Sequence, residues 1–268
     1  MTAPPDPVAL DPVALDPVTL AARLGRSRWS PIRVVQTTGS TITDLVAGWR
    51  AGELGAGAVE LADLQTGGRG RLDRRWSAPA GSSLLLAAVV VPPDGRPWTM
   101  LPLLTGVAVA RAVARMGGGA RLKWPNDVLL DGRKCCGILV ETTTSPAGPA
   151  AVVGLGLNLS QSAAELPGPQ ATSLALAGLA TSREAAAEAV LRALDEVLGQ
   201  WEAGADPVGL YRPWCATLGR MVRLELGPGR SVQGLAGDIA PDGRLGLDLA
   251  GGRQWFAAGD VHHLRPTD

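Results

Sequence analysis

Apolar and polar positions along the first half of the chain fall into two periods. Arg33 to Thr37 has the spacing of a short strand, and Thr41 to Trp49 places its apolar residues at helical spacing with Ser40 in the capping position. Val59 to Gln65 and Ser83 to Val91 read as strands. The second is an almost unbroken apolar run, which predicts burial on both faces. Trp98 to Met116 predicts a long apolar helix in the core. Leu122 to Glu141 reads as two strands around a turn at Asp131-Gly132, a pair that favours a tight hairpin. Ala150 to Leu159 predicts a further strand, and Ser182 to Trp201 an amphipathic helix.

The texture changes at both ends. Residues 6 to 20 repeat DPVAL, DPVAL, DPVTL, and a proline in each unit predicts an extended or disordered segment. After Gly219, short alternating runs (Met221 to Leu226, Ser231 to Ile239, Leu245 to Leu249, Gln254 to Ala257) are separated by Gly, Pro and Asp, which fits a small antiparallel barrel. The chain therefore divides into a Pro-rich segment over 1–29, an α/β (α+β) catalytic domain over 30–217 and a small β-barrel over 218–268. The space before residue 30 is too short for a winged-helix DNA-binding domain, which needs about 60 residues.

Composition narrows the function. Apolar residues make up 46% and charged ones 19%, and no apolar run approaches the roughly 20 residues of a membrane span. No basic cluster precedes an apolar run at the start, so a cytoplasmic protein is expected. Three cysteines offer no disulfide framework, and with the only histidines at His262 and His263 they lack zinc-ligand spacing. Net charge is zero, so no general footprint for nucleic acid is present. Of 25 basic residues only two are Lys, Lys123 and Lys134, and they lie close together. Arg is a planar fork, whereas Lys is a compact charge that suits a tight pocket around one oxygen.

Three constellations could carry chemistry. Gln65-Thr66-Gly67-Gly68-Arg69-Gly70-Arg71, followed by Arg74, Arg75 and Trp76, is too rich in Gly and Arg for a buried strand and predicts a mobile loop. Glycine lets backbone N–H groups approach an anion, and Arg forks match phosphate or carboxylate oxygens. The same residues would suit an exposed basic loop or an RNA backbone; a single basic cluster in a neutral chain favours a small anionic ligand. It is not a Walker-type cradle.

The second constellation is Lys123-Trp124-Pro125-Asn126-Asp127 with Lys134-Cys135-Cys136-Gly137-Ile138-Leu139-Val140-Glu141. Asn126 can read an amide-like edge, and Asp127 can hold a metal ion or take a proton. Lys134 is expected on the strand adjacent to Lys123, and an Asp127–Lys ion pair that only ties down a hairpin would also explain the pattern. Gly154-Leu155-Gly156-Leu157-Asn158, at the end of an apolar strand, is a weak signal by itself.

In order and spacing these motifs resemble the biotin protein ligases, over about residues 30 to 265. The resemblance implies a mixed-sheet catalytic domain of the biotin/lipoate ligase type with a C-terminal SH3-like barrel, in the single-function class without a DNA-binding domain. It implies biotin and MgATP as substrates, biotinyl-5′-adenylate as intermediate, and a lysine of a biotin carboxyl carrier protein as acceptor, with no nucleic-acid or membrane partner and no resident metal. Lys134 would neutralise the biotin carboxylate and the α-phosphate; Arg69 and Arg71 would hold the adenylate on a closing loop that includes Gly68 and Gly70. Ser40, Thr41 and Gln65 resemble contacts to the biotin rings, Trp76 resembles the adenine-side aromatic, and Asn126, Gly137 and Asn158 complete the substrate-binding set. Asp127 and Lys123 resemble a pair that orders ATP, metal or the incoming amine. Two positions depart from the family: Ile42 follows Ser40-Thr41 where Asn is usual, and Asp73 stands where many members carry glycine. The rivals are a lipoate or octanoate ligase or transferase of the same fold, and a non-catalytic RNA-binding protein.

Overall fold

The computed structural model describes residues 15–72 and 74–264. The first element corrects the expectation of an extended N-terminal segment. Although Asp6 to Val13 lie outside the described residues, Pro17–Leu24 is a helix, α1. Proline at the first helical position loses no hydrogen bond, because that N–H has no intrahelical partner. The preceding Asp16 caps the helix, accepting from the backbone N–H of Val18 at 3.2 Å and of Thr19 at 3.1 Å. Leu20 and Leu24, four apart, are buried with Leu15 in the main core.

Next come β1 (Ile32–Thr38), α2 (Thr41–Arg50), β2 (Val59–Gln65) and β3 (Ser83–Val90). Every residue of β3 is buried, as its unbroken apolar run requires. Leu84, Leu86, Ala88 and Val90 face α3 (Leu101–Arg115) and α4 (Arg183–Glu202), while Ala87 and Val89 face α2. Helix α2 packs there through Ile42, Leu45, Val46 and Trp49, an i, i+3, i+4, i+7 stripe whose side chains each contribute about 1.5–3 kcal/mol on burial.

Leu122 to Glu141 holds three strands rather than two: β4 (Arg121–Lys123), β5 (Asp127–Leu130) and β6 (Arg133–Ser145). Trp124-Pro125-Asn126 makes an extra turn before the expected hairpin. That hairpin forms at Asp131 and Gly132, with φ of 51° and 74°, the left-handed pair that a tight two-residue turn demands. With β7 (Gly148–Asn158) the sheet has seven strands in the order β1-β2-β3-β7-β6-β5-β4; only β1 and β2 pair in parallel. This is the mixed α/β architecture expected.

A short helix, α5 (Pro207–Tyr211), leads to β8 (Met221–Gly227), β9 (Arg230–Ile239), β10 (Leu245–Leu249), β11 (Gly252–Phe256) and β12 (Asp260–His263). They form one antiparallel sheet in the order β11-β10-β9-β8-β12, whose outer strands do not pair with each other among the described residues. The expected barrel is thus an open SH3-like sheet, and β12, whose pattern carries only one buried apolar residue, Val261, is an unforeseen strand. Its apolar face, including Val222, Leu224, Ala236, Leu245 and Leu247, is continuous with the core of the large sheet. Trp124 locks the two sheets together: its indole donates to the Gly243 carbonyl at 2.9 Å and its backbone N–H to Thr217 Oγ1 at 3.0 Å.

Candidate functional site

A cavity of about 330 Å³ opens where the N-terminus of α2, the end of β2, the Arg-Gly segment, β5, β6 and β7 converge. It is lined by Ser40, Thr41, Ile42, Gln65, Arg69, Gly70, Arg71, Trp76, Asn126, Asp127, Lys134, Gly137 and Asn158, so nearly all of the residues singled out in the sequence meet at one place. Gly68 and Lys123 do not line it. Gly68 is behind the wall, where its carbonyl accepts from Trp76 N–H at 3.0 Å.

At one end of the cavity, Ser40 is buried at the head of α2 but its side chain does not cap the helix, contrary to its position in the sequence. A different amide at this end, the first of the helix, is satisfied by Gln65 Oε1, which accepts from Thr41 N at 2.9 Å and Thr41 Oγ1 at 3.1 Å. With its oxygen doubly engaged, the Gln65 amide keeps its NH₂ as a donor group. Thr41 therefore acts on Gln65. Beside them Ile42 fills the notch above Gly154, where an added Cβ would lie 2.3 Å from Ile42 Cδ1. The absence of a side chain at Gly154 is what admits the isoleucine.

Two more glycines make room for Trp76. A Cβ at Gly156 would lie 2.4 Å from the indole Cε2, and one at Gly137 would lie 2.9 Å from Cζ3. The ring thus lies flat on β6 and β7, with the Lys134 ammonium 5.8 Å from its centroid and its Nε1 buried without a partner. The linear spacing of Gly137 and Gly156 offers no reason to connect them. They are directly paired neighbours across β6 and β7, and together they form one flat bed.

The two lysines are not on adjacent strands: Lys123 is on β4, Lys134 on β6, and Asp127 on β5 between them. Asp127 Oδ2 lies 3.1 Å from Lys123 Nζ and its Oδ1 lies 2.5 Å from Lys134 Nζ. Burial by itself would push this carboxyl up. The charges of Lys134 and Lys123, with their hydrogen bonds, outweigh burial and hold it below the usual carboxylate range. Asp127 is therefore a permanent anion that fixes both ammonium groups.

The Arg-Gly segment is not free. Arg69 Nη1 lies 2.7 Å from Glu141 Oε1, and Arg69 Nη2 donates to Thr43 Oγ1 at 3.1 Å. Arg71 donates to Asn126 Oδ1 at 3.2 Å, and the other end of that amide donates to the Ile138 carbonyl at 2.8 Å. Burial, then the charge of Arg74, pull the Arg71 guanidinium below its ordinary value, and Asp127 and Asp260 offset part of this. Asn158 closes the far side with both amide ends engaged, to the Thr172 carbonyl at 3.0 Å and from Gln161 Nε2 at 2.9 Å. Asp73 lies outside the described residues.

One end of this cavity therefore offers polar donors beside an apolar wall, and the other offers cations around an aromatic bed. Such a pairing can accommodate a carboxylic acid beside a nucleotide. Residues 34–158 match the Biotin/lipoate A/B protein ligase family, and residues 217–264 match the Biotin protein ligase C terminal domain. The chain is 41% identical over 247 residues to the biotin--[acetyl-CoA-carboxylase] ligase of Mycobacterium tuberculosis, covering 89% of this chain and 91% of that protein. It is 34% identical to the enzyme of the same name from Paracoccus denitrificans, over 78% of this chain and 91% of that one. The solved structure of the Aquifex aeolicus biotin protein ligase in complex with biotin and ATP superposes with a TM-score of 0.74 at 25% identity, covering 88% of this chain and all of that one (100%). The chain belongs to the biotin protein ligase family, and its activity is that of a biotin--[acetyl-CoA-carboxylase] ligase. Among the described residues, no helix is long and apolar enough to cross a membrane.

Proposed function

We propose that the cavity joins biotin to the α-phosphate of ATP, with Mg²⁺ arriving as part of the nucleotide substrate, and then delivers biotin to a lysine of a biotin carboxyl carrier protein in the cytoplasm. The single observation that carries this reading is the Lys123–Asp127–Lys134 arrangement at the cationic end of the cavity. In the first step a biotin carboxylate oxygen attacks the α-phosphorus and pyrophosphate leaves. Two anions must approach one another, and Lys134 neutralises both as charge develops, an electrostatic effect worth about 3–4 kcal/mol in comparable sites. In the second step the acceptor ε-amine attacks the mixed anhydride and AMP leaves. Asp127, held below the usual carboxylate range, is a poor proton acceptor. Both its oxygens already face ammonium groups, so it serves to position the lysines rather than to bind metal.

Ser40 and the NH₂ of Gln65 supply donors for the ring end of biotin, with Ile42 and Leu139 as its apolar wall. Trp76, bedded on Gly137 and Gly156, supplies the face for adenine. Arg69, Arg71, Gly68 and Gly70 form the segment that covers the adenylate and excludes water, and Asn126 and Asn158 fix the walls around it. Three free buried cysteines support a reducing compartment.

The test is biotin-dependent exchange of labelled pyrophosphate into ATP without an acceptor protein. Exchange with biotin is expected. Exchange with lipoate or octanoate but none with biotin would overturn the reading.

A further inference from the structure

The Arg-Gly segment closes on itself and then on the C-terminal sheet. Gly70 N–H donates to the Arg74 carbonyl at 2.7 Å, which ties these two residues together. Arg71 donates to the Gly259 carbonyl at 3.3 Å, and Arg74 Nη1 lies 3.1 Å from Asp260 Oδ2. Two consecutive residues at the start of β12 therefore receive two arginines of the segment. Gly259 has a φ of 155°, and a Cβ there would lie 2.5 Å from Leu224 Cδ1, so this backbone path tolerates no side chain.

The charges of the site divide accordingly. Arg69 is paired with Glu141, Lys134 with Asp127 and Arg74 with Asp260. The partners of Arg71 among the described residues are neutral, an amide and a carbonyl. A carboxylate that lines a cavity built for phosphate, as Asp260 does, works against anion binding unless it serves another purpose there. Holding Arg74 is such a purpose, because the segment then stays folded over the cavity without an anion and Arg71 is kept in place with its charge uncommitted.

We propose that Gly259-Asp260 is the latch of the Arg-Gly segment, and that Asp260 is a positioning residue which acts through Arg74 to set Arg71 over the intermediate. This rests on the adenylate-forming reading given above. The Arg74–Asp260 pair is half-exposed on the arginine side, so its loss costs a modest amount, about a two- to fivefold change.

The test uses the full chain and two readouts. Amide hydrogen exchange of a peptide spanning residues 66–76, in the unliganded protein, is expected to speed up in Asp260→Asn and to stay near wild type in Asp260→Glu. Release of biotinyl adenylate, chased with unlabelled biotin and ATP, is expected to be about two- to fivefold faster in Asp260→Asn. The double variant Arg74→Ala/Asp260→Asn should release it no faster than Arg74→Ala alone. Unchanged exchange in Asp260→Asn, or single effects that simply multiply in the double variant, would overturn the latch. If the wild type forms no adenylate, the enzymatic reading fails instead, and the exchange readout still decides whether Asp260 holds the segment.

Discussion

Lys134 and Asp127 approach to 2.5 Å across the β5–β6 pair, while the second oxygen of the same carboxylate holds Lys123 from β4. One acid on the middle strand thus sets the position of two ammonium groups that the chain supplies nowhere else.

Lys134→Ala should lower biotin-dependent pyrophosphate exchange by about 10²–10³-fold, the usual loss when one preorganised charge at a transition state is removed. Steady-state exchange rates in a protein of unchanged circular dichroism check this. Near-normal exchange would remove Lys134 from the chemistry. Asp127→Asn should lower both exchange and stability, the latter by about 1–3 kcal/mol, because two partly buried ammonium groups lose their counter-charge.

Ile42 and Gly154 are expected to act as one unit. Gly154→Ala sets a methyl 2.3 Å from Ile42 Cδ1 and should raise the KM for biotin through displacement of Ile42, at a cost of about 1–3 kcal/mol. The double variant Ile42→Ala/Gly154→Ala should recover much of the loss. A double variant no better than Gly154→Ala would show that the contact does not shape the biotin end.

Gly156 carries the analogous role for the nucleotide. Gly156→Ala drives the Trp76 ring off its bed, where the added methyl would meet Cε2 at 2.4 Å. The KM for ATP should rise by more than the KM for biotin, and equal changes in the two would count against an adenine-side role for Trp76.

One half-buried and one buried group give opposing pH dependences. His263 Nε2 lies 3.1 Å from Thr217 Oγ1, which itself accepts from Trp124 N–H. Burial first, and the charges of Arg220 and Lys123 next, lower His263 to about 4. The unfolded chain takes up its proton first, so this contribution is complete above about pH 6.5 and is lost as pH falls toward 4. Glu60, fully buried under α2, is pushed up to about 7 by burial and by Asp44, with Arg33 offsetting part. Its contribution is present below about pH 4.5 and is lost as pH rises toward 7. Each single variant leaves the other group in control. Urea midpoints measured from pH 4 to 8 should therefore fall with rising pH in His263→Gln and rise with pH in Glu60→Gln. Matching profiles in the wild type and both variants would refute the assignment.

Much of the fold is legible in the sequence because its signals are local. The burial of β3 follows from an unbroken apolar run, the apolar stripe of α2 from 3.6-residue spacing, and the Asp131-Gly132 turn from a backbone geometry that few residue pairs accept. Local signals also mislead. The repeat around Pro17 marks it as a breaker, although behind Asp16 it starts a helix. Ser40 stands where a cap belongs, but its side chain makes no capping bond, while Gln65 from β2 serves the Thr41 amide. The extra turn at Trp124-Pro125-Asn126 escapes a reading by period because three-residue β4 is too short to show one.

The sequence alone determined which residues carry charge and which can be approached closely: two lysines among many arginines, glycines at 137, 154 and 156, and an Arg-Gly run unable to pack in a sheet. Those properties belong to single residues or to neighbours in the chain. Only the tertiary structure decided their partners. Asp127 between the lysines depends on strand order, and Ile42 above Gly154 depends on how α2 crosses β7. The grip of Gly259-Asp260 on Arg71 and Arg74 joins positions more than 180 residues apart. Such pairings arise from strand order and from the packing of segments distant in the chain, and nothing in the local pattern of either segment encodes them.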